Sequence, residues 1–138
     1  MIRTHVLVCT GTGCTANGSL ATRDALLAEF KKYGLENEIE VVETGCMGRC
    51  DLGPCSLVHP DGTFYKEVTP AEVPELVQEH FLKGRPYAKL LPQDPRTQHV
   101  YQTQADFTFF SSQLRIVRDN CGIIDPENIE EYLSLIHI

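Results

Sequence analysis

A chain of 138 residues with 42% hydrophobic side chains has enough material for one compact domain and an appendage. Nineteen acidic against twelve basic residues give a net charge of -7, which excludes the electrostatic footprint of a nucleic-acid or anionic-membrane binder. The opening MIRTHVLVCTGTG has one arginine and a short apolar run ending in Thr and Gly, neither a secretory signal nor a membrane span. A cytoplasmic location is therefore expected, where cysteines do metal or redox chemistry more often than they form disulfides.

Residues 5–9 (HVLVC) read as a buried strand running into the glycine loop Thr10-Gly11-Thr12-Gly13. Leu20, Leu26, Leu27 and Phe30 then recur at helical spacings, predicting a helix over 17–33 that Gly34 stops. Residues 38–44 (EIEVVET) read as a second strand. Segments 56–59 and 63–68 flank Pro60-Asp61-Gly62, a hairpin signal, because Asp-Gly tolerates the positive φ angles of a tight turn. Thr69-Pro70-Ala71-Glu72 reads as a capping box ahead of Val73, Leu76, Val77, His80 and Phe81 on one helical face, ended by Gly84 and Pro86. The order is βαββα: a parallel first pair of strands, an antiparallel hairpin and a covering helix, hence an α/β domain with a mixed sheet over 1–86. Residues 87–105, with Pro92 and Pro95 and no sustained period, read as a linker. Over 106–138, Phe107, Phe110, Leu114, Val117 and Cys121 share one helical face. Asp125-Pro126 then caps a second helix carrying Ile129, Tyr132, Leu133 and Ile136. Two helices without a sheet cannot bury both apolar faces, so docking on the first domain or on a further segment is expected. Arg115 and Arg118 read as a solvated or docking face, and the phenylalanines as core or interface.

The chemistry lies in the cysteines. Cys9 and Cys14 are separated by four residues, Cys46 and Cys50 by three, and both pairs follow a strand end. Adjacent strand ends bring such pairs to one rim, making a four-thiolate site for zinc or an iron–sulfur cluster. Zinc knuckles usually show two-residue gaps, and no C-x-x-C dithiol occurs. Gly11, Gly13, Gly45 and Gly48 leave room for backbone to approach a cluster and aim N–H groups at sulfur. Arg49 would raise a cluster's potential and Asp51 lower it. Cys55 reads as a spare ligand or a small buried residue, and Cys121 as packing. None of the five histidines has a ligand partner at useful spacing. A competing reading is a dinucleotide fingerprint, Gly11-x-Gly13-x-x-Ala16, with Glu40 or Glu43 as the ribose acid; cysteines inside the loop and too few strand–helix units oppose it.

CTGTGC, the spacing to GCMGRC, and HPDGTFYKEVTPAEVPELVQEHFLKGRP together resemble the thioredoxin-like [2Fe–2S] ferredoxins, in the version found at the N-terminus of the NADH-binding flavin subunit of NADH-dependent hydrogenases and NADH:acceptor oxidoreductases. FFSSQLRIVRDNCGIIDPENIEEYL looks like the segment leading into that subunit's flavin domain. The resemblance implies a thioredoxin-like fold and one [2Fe–2S] cluster on Cys9, Cys14, Cys46 and Cys50. It also implies single-electron transfer among the subunits of an NADH-linked complex, with the FMN and NAD sites on parts of the subunit that this sequence does not include. The chain is then expected to be an N-terminal fragment unable to oxidise NADH alone.

Overall fold

In the computed structural model, which describes residues 1–117 and 119–135, four strands form one mixed sheet. The elements that build it are β1 (Thr4–Cys9), α1 (Thr12–Ala16), α2 (Ser19–Lys32), β2 (Ile39–Thr44), β3 (Ser56–His59), β4 (Thr63–Tyr65) and α3 (Val73–Leu76). The last continues as a π-helical stretch over Val77–Leu82. Strand order is β2-β1-β3-β4, with β1 parallel to β2 and antiparallel to β3, and β3 antiparallel to β4. The observed order is βααβββα: the parallel first pair, the antiparallel hairpin and the covering helix are all present, with one strand more than βαββα counts and one short helix added.

Alternation along the strands splits the core into two layers. Val6, Val8, Ile39, Val58 and Tyr65 face Leu26 and Phe30 of α2, Val73 and Leu76 of α3, and Val77 of the π-helical stretch. Leu7, Cys9, Val42, Leu57 and Phe64 face the other way, against Met47, Phe107 and Phe110. A two-residue side-chain period therefore puts Cys9 on the face that the cysteine loop covers.

The first helix starts later than predicted, because Gly18 (φ 90°) separates the turn α1 from α2. Its buried face is Ser19, Thr22, Leu26 and Phe30, while Leu20 and Leu27 are exposed. The Thr22 hydroxyl donates to the Val68 carbonyl at 2.6 Å, so small polar residues serve where the helix start approaches the 66–68 turn. Gly34 (φ 67°) ends α2 as predicted, with Leu35 N–H donating to Phe30 O and Gly34 N–H to Lys31 O, the double bond of a Schellman stop.

The predicted capping box does not form. The residue flanking α3 is Glu72 in helical geometry without a side-chain cap, Pro74 occupies the first turn, and the Glu72 carboxylate is drawn off to the Tyr87 hydroxyl (3.1 Å) and Lys89 (2.6 Å). Gly84 (φ 69°) ends the helical run as expected.

Residues 87–105, read from sequence as a linker, are packed. Leu90 and Leu91 are buried in the α2/α3 layer, and Phe64 N–H and Lys66 N–H donate to Gln102 O and Leu90 O. The free edge of β4 is thus covered by irregular backbone, with isolated bridges Thr63–Thr103 and Gln93–Val100. The helix expected through 107–121 reduces to α4 (Thr108–Ser111). Phe107 and Phe110 dock on Phe64, and Leu114 and Val117 are exposed. The last helix, α5 (Ile129–Ser134), is capped by Asn128, whose side chain accepts from Glu130 N–H at 3.1 Å, instead of by Asp125-Pro126. Ile129, Tyr132 and Leu133 are exposed; Arg118, Ile136 and His137 lie outside the described residues.

A buried polar chain ties α3 to the hairpin. Tyr87 N–H donates to the Tyr65 hydroxyl oxygen (3.1 Å), Tyr65 O–H to His80 Nδ1 (2.5 Å), and His80 Nε2–H to the Asp61 carboxylate (3.2 Å). This pattern requires the neutral imidazole. Burial lowers the His80 pKa below 6.5, with Asp61 opposing. Because the unfolded histidine then takes up a proton more readily, stability should fall as pH drops below about 6.5 and level off under the folded pKa. The urea midpoint is expected to fall more between pH 7.5 and 5.5 in the unaltered chain than in His80→Gln, and equal slopes would count against this role.

Candidate metal centre

The strand pairing brings the cysteines to one rim. β1 and β2 run parallel with Cys9 level with Thr44, so the loops carrying Cys14 and Cys46/Cys50 leave the sheet at the same end. β3 begins there as well, and Cys9 N–H donates to the Cys55 carbonyl at 3.1 Å.

The two loops interlock through glycines. A Cβ on Gly11 would stand 2.9 Å from Cys46 Cβ and 3.1 Å from Cys46 Cα, and one on Gly13 would stand 3.2 Å from Cys50 Cβ. Gly53, which the sequence reading passed over, lies against the first loop: its Cβ would stand 2.8 Å from Cys14 Sγ. Gly48 takes a positive φ of 94° and its N–H donates to Cys46 Sγ at 3.3 Å. Gly45 instead neighbours Cys121, with 3.6 Å available for a Cβ. Gly11→Ala should therefore push the loops apart at a cost of about 1–3 kcal/mol and lower metal retention, while Gly45→Ala stays near the parent in both. Thermal melts and metal content of the two variants check this.

The thiols fall into pairs. Cys46 Sγ and Cys50 Sγ are 3.6 Å apart, and the Cys9 thiol feels that of Cys14. Among the described residues no three His, Cys, Asp or Glu side chains close on a single point as ligands of one ion. Burial pushes the Cys9 thiol up to about 11, while backbone N–H groups of Met47 and Gly11 favour its thiolate. Cys50 is exposed, and its pKa is raised by Cys46. Cys55 is buried, its S–H donates to Arg49 O at 3.4 Å, and burial raises its pKa.

The charges predicted to act on the site cancel locally. Arg49 Nε and Nη2 donate to the two oxygens of Asp51 at 2.9 and 2.8 Å, which raises the pKa of the arginine and lowers that of the carboxylate. The guanidinium also sits 5.1 Å from the Phe109 ring centroid and 5.6 Å from that of Phe107. The C-terminal segment meets the cysteine loop at further points. Arg115 donates to Met47 O (3.4 Å) and Gly122 N–H to Thr44 Oγ1 (2.9 Å), while buried Met47 turns inward between the two cysteines. Sequence offers no local signal for these contacts, which span about 70 residues of chain.

The residues of the dinucleotide pattern have other partners in the fold. Gly11 faces Cys46, Glu43 is paired with Arg23, and Glu40 lies 3.4 Å from His5.

The donor set fits a dinuclear cluster, which takes two thiolates on each iron, better than one tetrahedral ion with four sulfurs about a point. Fold and rim together define an α/β protein with a cysteine-paired metal centre at one end of a mixed sheet. The family model for the thioredoxin-like [2Fe-2S] ferredoxins matches residues 1–80, and the chain belongs to that family. The curated "Ferredoxin, 2Fe-2S" of Clostridium pasteurianum is 32% identical over 96 residues, covering 62% of this chain and 92% of its own length. That of Aquifex aeolicus is 31% identical over 99 residues, covering 63% and 86%. A Priestia megaterium relative, 32% identical over 80 residues, is spanned for only 62% of its length. The crystal structure of the wild-type thioredoxin-like [2Fe-2S] ferredoxin from Aquifex aeolicus superposes with a TM-score of 0.62 at 29% identity, over 68% of this chain and all of the other. The fold is thioredoxin-like. Among the described residues no helix is long and apolar enough to cross a membrane.

Proposed function

We propose that the chain passes single electrons through a [2Fe–2S] cluster held by Cys9, Cys14, Cys46 and Cys50, as one station of an NADH-linked oxidoreductase complex of the hydrogenase or NADH:quinone type. The observation that carries the cluster is the pairing of four thiols on two interlocked loops, in a chain whose family is defined by that cluster. When bound, the cluster supplies a reversible one-electron couple. The chain fixes two sulfurs from each loop, aims N–H groups of Gly48, Met47 and Gly11 at sulfur, and buries Cys9 and Cys14 while leaving Cys50 exposed. The exposed side is where a redox partner can come close. The NADH-linked setting rests on the sequence resemblance, including the segment from Phe109 onward, and makes the other subunits of such a complex the partners, with flavin and NADH bound there.

Anaerobically purified protein should be coloured, carry about two irons per chain, and give a rhombic EPR signal after one-electron reduction. A colourless protein with stoichiometric zinc would overturn the cluster. NADH alone should leave the centre oxidised, and NADH with an NADH-oxidising flavoprotein should reduce it. Reduction by dithionite but by no such flavoprotein would remove the NADH-linked setting and leave the cluster standing.

A further inference from the structure

A cavity of about 320 Å³ opens beside the cysteine loop, between Arg49, the 92–96 turn and the start of α4. Three cations reach its wall, Arg49, Lys66 and Arg96, against one carboxylate, Asp94. Asp94 is already committed: its Oδ1 accepts from the N–H groups of Arg96 (2.7 Å) and Thr97 (3.2 Å), and its Oδ2 from the Tyr101 hydroxyl (3.2 Å). Arg49 and Lys66 are paired with Asp51 and Glu67, both mostly exposed carboxylates. Arg96 has no carboxylate within ion-pair distance among the described residues. The turn that Asp94 ties together thus presents on the cavity wall an exposed guanidinium with no ion-pair partner among the described residues.

The rest of the wall is aromatic. Tyr101 is stacked on Phe107 with centroids 4.5 Å apart, and Phe109 is 43% exposed with Arg49 over its ring. Cations beside a partly exposed ring suit a ligand that is anionic at one end and planar at the other, and the volume is within the range of small-molecule sites. A larger cavity, of about 540 Å³ at the opposite end of the sheet, lacks this character. Its Arg3 is tied to Glu38 at 2.7 Å, and its Asp61 to His80 at 3.2 Å.

We infer that the cavity between Arg49, Lys66, Arg96 and Phe109 binds a phosphate-bearing aromatic molecule of mononucleotide size. Arg96 and Lys66 supply charge for the phosphate, and the exposed part of Phe109 the aromatic surface. Arg49 belongs both to this wall and to the Cys46–Cys50 loop.

Equilibrium dialysis of the full chain, cluster in place, against adenosine monophosphate and flavin mononucleotide in separate arms tests the site. Saturable one-to-one binding of either is expected and identifies the ring. The matching nucleoside or riboflavin, and inorganic phosphate, should each bind at least about 10-fold more weakly, because each keeps only half of the recognition. Arg96→Gln should weaken binding about 10-fold and Phe109→Ala several-fold, both at exposed positions, whereas Arg85→Gln, outside this wall, should change nothing. Absence of saturable binding in both arms would overturn the inference. So would phosphate binding as tightly as the nucleotide, or parent-like affinity in Arg96→Gln. The assay reads ligand uptake, so it fails independently of the electron-transfer reading.

Discussion

Cys9→Ser should cut iron from about two per chain to well below one and abolish the visible spectrum, and Cys46→Ser should do the same. Cys9 is the most enclosed of the four proposed ligands together with Cys14, at the end of β1 and 2% exposed. The thiols of Cys14 and Cys55 lie near it and are buried as well. Cys46 is packed by Gly11 from the other loop, which fixes its Cα as well as its side chain. The contrast that decides the ligand set is Cys50 against Cys55. Cys50 is exposed with its sulfur 3.6 Å from that of Cys46, whereas Cys55 is buried and directed at the Arg49 carbonyl. Cys55→Ser should therefore keep about two irons per chain and Cys50→Ser should lose or labilise them. The reverse result in anaerobic iron assays would move the fourth ligand to Cys55.

The parts legible from sequence are those where local pattern and tertiary contact agree. β1, the Asp61-Gly62 hairpin, the Gly34 stop and the convergence of two cysteine loops follow from strand periodicity, positive-φ glycines and parallel pairing, all short-range or nearest-neighbour effects. The misses share a physical cause. On α2, Leu20 and Leu27 satisfy a helical period as well as Leu26 does, but the helix axis places Ser19 and Thr22 inside. That choice is set by the 66–68 turn about 46 residues away. The capping box at Thr69-Pro70-Ala71-Glu72 loses to Tyr87 and Lys89, which offer Glu72 partners from a segment read as a linker. That segment looked unstructured because its prolines and irregular bridges carry no period, although it covers the β4 edge. At the site, Gly53 lies within the GRCDLGPC stretch and could be noticed there. The approach of Met47 to Gly122 and Arg115 could not, since nothing local encodes it.

Phe107→Ala should cost about 3–5 kcal/mol, against less than about 1 kcal/mol for Phe109→Ala. Phe107 is 3% exposed, and its ring meets Phe64 edge-on at 5.4 Å, Phe110 at 5.5 Å and Tyr101 in a stack at 4.5 Å. Removing it opens a cavity in the layer formed by Leu7, Leu57 and Phe64, directly beneath the strand end that carries Cys9. Part of the Arg49 platform goes with it, leaving the guanidinium to Phe109 and Asp51. Phe109 shares the chemistry and the Arg49 contact but is exposed, so its truncation isolates the cation–π part from the burial part. Urea midpoints of the two variants separate the alternatives. A large loss at Phe107 alone means that the segment beyond residue 100 completes the core of the cysteine-bearing domain. Equal small losses would mean that the sheet face under the metal centre is stable without that segment.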